Sequence, residues 1–278
     1  MGASAATIRY NDKERIRDLY DRVSPYYRSL WGEHIHHGYW IRGDETKEQA
    51  QLQLIEHLAQ VAGIASGLRI LDVGCGFGAT SIYLAKNYNA EATGITISPI
   101  QVEMANRAAA AQKASATFLL MDAQAMRFDR PFDVIWSVES ISHYQDREKF
   151  FASAANLLKP GGTFAIVDWF RKAHLTPAEH KKFIEPIEKG MLVELQTMER
   201  YKASLESSQL QLVQTEILNE YCAKSWDLPL DIIKKRSFWV LAAKMGPGFV
   251  DHLKSFRAMK AGFASGNFVL GLLVAKKP

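Results

Sequence analysis

The chain has 278 residues, with 34 Lys+Arg against 30 Asp+Glu and a net charge of +4. Hydrophobic residues make up 47% and charged ones 23%, enough for a sizeable core, which excludes wholesale disorder. Two cysteines, Cys75 and Cys222, exclude a disulfide scaffold and a cysteine-rich zinc module, and so small a charge excess gives no ground for nucleic-acid binding.

Residues 1–10 lack the basic-then-apolar pattern of a secretory signal, and Ala6 stands where a myristoylation motif after Gly2 needs Ser or Thr. The longest apolar run, 268–275, is far short of the roughly 18 residues of a membrane span. A soluble cytoplasmic protein is expected. Residues 12–23 read as a short amphipathic helix that Ser24-Pro25 ends, because the residue before proline avoids the α region. Residues 46–62 carry Ala50, Leu54, Leu58 and Val61 at helical spacing.

After Gly63 and Gly67 the pattern alternates. Apolar runs at 68–73, 90–97, 117–121, 132–138 and 163–167 read as strands. Between them, 80–87, the stretch opened by Ser98-Pro99-Ile100-Gln101 and 146–158 read as helices. Ser98 caps, Pro99 fits the first helical position and Gln101 completes a capping box. Lys159-Pro160-Gly161-Gly162 breaks the last of these helices. Beyond Phe170 the rhythm stops: 176–195 is helical, 209–217 a strand, 226–264 largely helical and 267–275 a strand. The expectation is an α/β, Rossmann-like doubly wound, mostly parallel seven-stranded sheet with helical lid insertions. Its parts are an N-terminal helical cover at 1–62, a core at 63–170, and lid helices with the last strands at 171–278.

The sharpest motif is Ile70-Leu71-Asp72-Val73-Gly74-Cys75-Gly76-Phe77-Gly78, which leaves a strand and enters a helix where backbone approaches a ligand closely. A dinucleotide fingerprint needs G-x-G-x-x-G and an acid about 20 residues on. Here the spacing is G-x-G-x-G, an acid precedes it, and the second strand ends Gly94-Ile95-Thr96 without a carboxylate. No Gly-Lys-Ser/Thr follows, so a P-loop fails too. The glycines serve a nucleoside ligand without a pyrophosphate.

Asp72 to Gly78 resembles motif I of the class I S-adenosylmethionine-dependent methyltransferases. The resemblance continues through Gly94-Ile95-Thr96-Ile97-Ser98, Met121-Asp122-Ala123, Phe132-Asp133-Val134-Ile135-Trp136-Ser137 and Leu158-Lys159-Pro160-Gly161-Gly162. Gly32-Glu33-His34-Ile35-His36-His37-Gly38-Tyr39-Trp40 is similar to a narrower group of tocopherol, sterol, sugar O- and plant N-methyltransferases and cyclopropane synthases. That resemblance implies S-adenosylmethionine as cofactor. Gly74, Gly76 and Gly78 would let carbonyls meet its amino group, with Asp72 orienting the turn and favouring the cation. Asp122 would hold the adenine amino group, with Ala123 beside the ring and Ser137 lining the methionine portion. Thr96 stands where relatives carry an acid for the ribose, and Gln101 is the substitute. Tyr20, Tyr39 and Trp40 would cover the cofactor, since aromatic faces suit a sulfonium. His34, His36 and His37 belong to the same cover; no metal is expected, because no Cys, Asp or Glu joins them at ligand spacing. Cys75 is a small buried residue rather than a nucleophile.

Methyl transfer is an in-line displacement in which alignment matters most, and a hydroxyl acceptor must also lose a proton. His143, in Glu139-Ser140-Ile141-Ser142-His143 after the fourth strand, resembles the histidine of the sugar O-methyltransferases and is the candidate base. Asp168, ending the fifth strand, is its candidate neighbour. Ser142 stands where the cyclopropane synthases carry Glu, which argues against alkene chemistry. Aromatic residues between Trp226 and Phe263, interleaved with Lys234, Lys235, Arg236, Lys254, Arg257 and Lys260, suggest a small apolar acceptor with a basic mouth. O-methylation is preferred. C- or N-methylation of a prenylated quinol, terpenoid or amine, and a non-catalytic cofactor-binding protein, stand as alternatives.

Overall fold

The computed structural model describes residues 10–228, 234, 236–245 and 248–278. The signal-peptide and myristoylation expectations fall on residues 1–10, of which 1–9 lie outside the described residues. So do Lys235 and the side chains of Arg236, Leu241, Met245 and Phe249.

Seven strands form one sheet, in the order β3-β2-β1-β4-β5-β7-β6. They are β1 (Arg69–Val73), β2 (Glu91–Thr96), β3 (Ala116–Leu120), β4 (Phe132–Val138), β5 (Leu158–Arg171), β6 (Gln211–Ile217) and β7 (Phe268–Lys276). All neighbours are parallel except β7, which runs antiparallel to both β5 and β6. Helices α1 (Lys13–Trp31), α2 (Lys47–Ala62), α3 (Ala79–Asn87), α4 (Pro99–Gln112) and α5 (Arg147–Leu157) belong to the cover and crossovers. The strand order reverses at β1 and β4, and the crevice beyond their carboxyl ends is where such folds bind ligands.

Side-chain alternation divides the central strands between two cores. Ile70, Val134, Trp136, Ala165, Val167 and Trp169 face one side with Leu54 and Leu58 of α2. Leu71, Val73, Ile135, Phe164, Ile166 and Phe170 face the other with Phe150 and Phe151 of α5. Each buried Val, Leu, Ile or Phe among them contributes about 1.5–3 kcal/mol by leaving water.

Helix α1 does not end at Ser24. It continues through Pro25 to Trp31, at the cost of one intrahelical bond. The offset is tertiary: Gln101 donates to Ser24 at 3.2 Å and Ser98 donates to Asp21, fastening α1 to the start of α4. Ser98 does cap α4, accepting from the Gln101 amide at 3.1 Å. The capping box stays half made, because the Gln101 carbonyl accepts instead from the Thr96 hydroxyl at 2.7 Å.

The later helices are α6 (Pro177–Glu179), a π-helical stretch (His180–Ile184), α7 (Glu185–Met191), α8 (Met198–Ser207), α9 (Asn219–Cys222), α10 (Arg236–Met245) and α11 (Gly248–Ser265). The helix expected over 176–195 thus stops at Met191, and α8 adds one that the sequence pattern did not show. Helix α11 packs on α7, where any Cβ on Gly190 would stand 2.5 Å from the Asp251 carbonyl. Among the described residues no helix is long and apolar enough to cross a membrane.

Candidate active site

One large cavity lies beyond the carboxyl ends of β1, β2 and β4. Its floor is the turn from β1 to α3. Gly74 has φ of +79°, and a Cβ there would stand 1.9 Å from the Ser140 hydroxyl, so only glycine lets the two loops meet. Asp72, Gly74 and Gly76 line the cavity; Gly78 does not. A Cβ on Gly78 would stand 2.4 Å from the Phe118 ring, so this third glycine serves helix–strand packing rather than the ligand. Asp72 accepts from the Ser81 hydroxyl at 2.6 Å, and burial pushes its carboxyl up to about 6 against that bond.

Thr96, Gln101, Asp122 and Ala123 continue the wall. Asp122 accepts from the Gln124 amide at 2.9 Å and from Lys13 at 3.1 Å. Ser137 is buried behind the wall, where its hydroxyl donates to the Val73 carbonyl at 3.2 Å and ties β4 to β1. Val138, Glu139 and Ser140 line the cavity in its place.

The cover is built from α1 and residues 33–37: Tyr20, Tyr27, Trp31 and His34 to His37 line the cavity. Tyr39 and Trp40 do not. Tyr39 stacks between His57 and Tyr221, at 4.7 and 4.6 Å, and Trp40 donates to the Glu45 carbonyl. The segment is pinned to α2, because Gln51 donates to the carbonyls of His34 and His36 and the Tyr39 amide to Ala50. Gly38 permits this approach, since a Cβ there would stand 2.7 Å from that of Ala50.

His143 lines the cavity with both ring nitrogens engaged. Nδ1 stands 3.1 Å from the Leu192 carbonyl and Nε2 3.0 Å from the Tyr20 hydroxyl. A carbonyl only accepts, so Nδ1 carries the proton and Tyr20 donates to Nε2. Burial pulls the imidazole down to about 4; the Leu192 carbonyl opposes this and the Arg147 cation adds to it. Burial pushes the Tyr20 hydroxyl up, and Glu139 and Asp168 add to that.

Asp168 does not meet His143. Side-chain alternation along β5 turns it to the opposite face, where it accepts from Tyr201 of α8 at 2.7 Å, and Trp169 faces the cavity instead. Burial raises the Asp168 carboxyl to about 6, with the Tyr201 bond opposing. Met191, Trp226, Phe256 and Met259 close the far wall. Sequence reasoning named Glu139 and His37 but gave Glu139 no role. The signal for it was an acid directly after an apolar strand. Among the described residues no group of three or more His, Cys, Asp or Glu stands where it could hold a metal ion.

Residues 8–234 match the family described as mycolic acid cyclopropane synthetase. The protein belongs to this family. The chain is similar to a chloroplastic tocopherol O-methyltransferase of Arabidopsis thaliana, 29% identical over 99% of this chain and 85% of the relative. It is also similar to 27-O-demethylrifamycin SV methyltransferase of Amycolatopsis mediterranei, 34% identical over 74% of this chain and 77% of the relative. The crystal structure of mycolic acid cyclopropane synthase CmaA1, complexed with SAH and CTAB, shares the fold with a TM-score of 0.85 at 21% identity, covering 95% and 98% of the two chains. The [4+2]-cyclase SpnF shares it with 0.79 at 21% identity, covering 100% and 99%.

As a member of this family the chain is a class I S-adenosylmethionine-dependent methyltransferase. The cavity of the methyltransferase fits that cofactor: carboxylates at Asp72 and Asp122 suit its two amino groups, and β2 presents no acid for a dinucleotide ribose. Gln101 is less free for a diol than its position suggests, since Thr96 and Ser24 both hold its amide.

Proposed function

We propose that the protein methylates oxygen on a small, apolar, hydroxyl-bearing acceptor. The supporting observation is a cavity that joins the glycine turn to an apolar far wall, with a histidine–tyrosine pair between them. Relatives whose names specify O-methylation point the same way.

When bound, the cofactor supplies an activated methyl group. Asp72 and the carbonyls of Gly74 and Gly76 would hold its methionine amino group. Asp122 and Ala123 would hold the adenine, and Thr96 with Gln101 the ribose. His143 stays in this proposal but acts through Tyr20: by accepting the phenol hydrogen it fixes the ring, whose face then covers the sulfonium. In this proposal the described residues of 1–62 would supply the cover, those of 63–170 the cofactor core and those of 171–278 the acceptor wall. Cytoplasmic residence is part of the proposal, supported by two unpaired buried thiols.

The test is an acceptor screen with alkylated phenols and hydroquinones of graded acidity, and amines of matching shape, read by S-adenosylhomocysteine release and product NMR. Methyl ethers are expected. Ring methylation, or turnover confined to amines, would overturn the O-directed reading.

A further inference from the structure

Glu139 is held in an unusual way at the end of β4. Its φ is +51°, a left-handed backbone that non-glycine residues rarely adopt, and its amide donates to the Val167 carbonyl at 2.7 Å. Its carboxylate accepts three hydrogen bonds: from the His37 amide at 2.7 Å, His37 Nδ1 at 2.9 Å and Trp169 Nε1 at 2.8 Å. Burial alone would raise this carboxyl, but His37 outweighs it and the group stays below its ordinary value. It is therefore an ionised acceptor.

An ionised carboxylate cannot donate, so Nδ1 carries a ring proton, and in the neutral ring Nε2 is the nitrogen that presents a lone pair. The side chain is only 5% exposed, the residue lines the cavity, and Nε2 is buried with no partner. A buried, unsatisfied acceptor is costly unless something binds to it. Trp226 stands beside it, with ring centroids 4.6 Å apart, and its indole N–H is likewise buried and unpartnered. A hydroxyl that reached both nitrogens would give one hydrogen bond, to the lone pair, and take another, from the indole. His143 offers no such lone pair, since Tyr20 occupies its Nε2.

We propose that His37, oriented by Glu139, is the catalytic residue that takes the proton from the acceptor hydroxyl, with Trp226 as hydrogen-bond donor to the same oxygen. The inference rests on the O-methyltransferase reading. In the step, the oxygen–methyl bond forms as the sulfur–methyl bond breaks, leaving a neutral thioether. The hydroxyl proton passes to Nε2, and the resulting imidazolium is balanced by Glu139. The other groups facing His37 are Trp169, Trp226 and the ring of Phe263 stacked at 5.9 Å. The neighbouring imidazole is His36, whose Nδ1 stands 2.8 Å from the His37 carbonyl.

Two measurements test this. In ¹⁵N-histidine-labelled protein, the His37 signal, assigned by its loss in His37→Asn, is expected as the Nδ1–H tautomer with an unprotonated Nε2. A proton on Nε2 would overturn the proposal. In His37→Asn the new amide N–H can still reach Glu139, but the distal nitrogen is gone. S-adenosylhomocysteine affinity should stay within a few-fold, while turnover of the phenols falls by about 10²–10⁴. The loss should shrink as the phenol becomes more acidic. Activity within about three-fold of wild type, or a loss independent of phenol acidity, would show a packing role and sink the idea. If the unmodified enzyme turns over no phenol, the O-directed reading fails, and the tautomer alone then decides the state of His37.

Discussion

Tyr20 of α1 donates its hydroxyl hydrogen to Nε2 of His143 across 3.0 Å, in a direction fixed by the Leu192 carbonyl on the far side of the ring. The two residues are 123 positions apart in sequence, so this bond fastens the N-terminal cover to the loop after β4. Tyr20→Phe and His143→Gln are each expected to lower turnover by roughly tenfold. The double variant should be little worse than either, because both remove one shared interaction. A cycle of steady-state rates measures this; fully multiplicative losses would show that the two act separately.

Under the proposed function Asp72 holds the methionine amino group, so its charge should govern cofactor affinity. Losing a charge-assisted contact costs about 1.5–3 kcal/mol, so Asp72→Asn should bind S-adenosylhomocysteine at least about tenfold more weakly. In the free protein the carboxyl titrates at about 6. Wild-type affinity should therefore weaken as pH falls below that value, while the Asn variant stays flat. Calorimetry between pH 5 and 8 checks both.

Acid stability should depend on His143. Its pKa drops from 6.5 to about 4 on folding, so between those values the unfolded chain binds a proton that the native protein does not. Stability conferred by the neutral ring is complete above 6.5 and is lost as pH falls toward 4. At about 1.4 kcal/mol per pKa unit the loss is about 3 kcal/mol. Urea unfolding of His143→Gln at pH 4.5 and 7.5 should show a smaller difference than wild type; an equal difference would assign the acid sensitivity elsewhere.

The pair of Asp168 and Tyr201 is expected to matter for folding rather than chemistry. Tyr201→Phe removes the donor from a fully buried carboxylate and should cost about 1–3 kcal/mol of stability. Turnover should remain within a few-fold, since neither residue lines the cavity. A large drop in turnover with unchanged melting temperature would contradict that assignment.

The fold was legible because local rules decide it. Glycine turns, apolar runs and a good cap at Ser98 mark the alternation of strands and helices, and the structure follows them closely from β1 to β4. The cavity lining was legible around the loops that follow strands, as with Asp72 just before the glycine turn, Gly74 within it and Asp122 after β3. It was misread at strand ends, where one step of alternation decides which face a side chain meets. Ser137 and Asp168 turn away, while their sequence neighbours Val138 and Trp169 face the cavity. No local signal says which face the late helices will roof. Pro25 gives the complementary lesson: the local rule for a helix stop was sound, but side-chain bonds to α4 outweighed it.

The antiparallel strand β7 lies between β5 and β6, yet it follows both in the chain, separated from β6 by α9 to α11. During synthesis, then, β6 emerges with no neighbour to pair with, and the half-sheet ending at β5 keeps an open edge until residue 276 is made. The aromatic far wall of the cavity is translated in that interval and gains its backing only when β7 slots in. Ribosome-bound chains stalled before residue 268 should therefore expose an unpaired apolar edge and recruit chaperones, whereas chains released after β7 should fold shut without them.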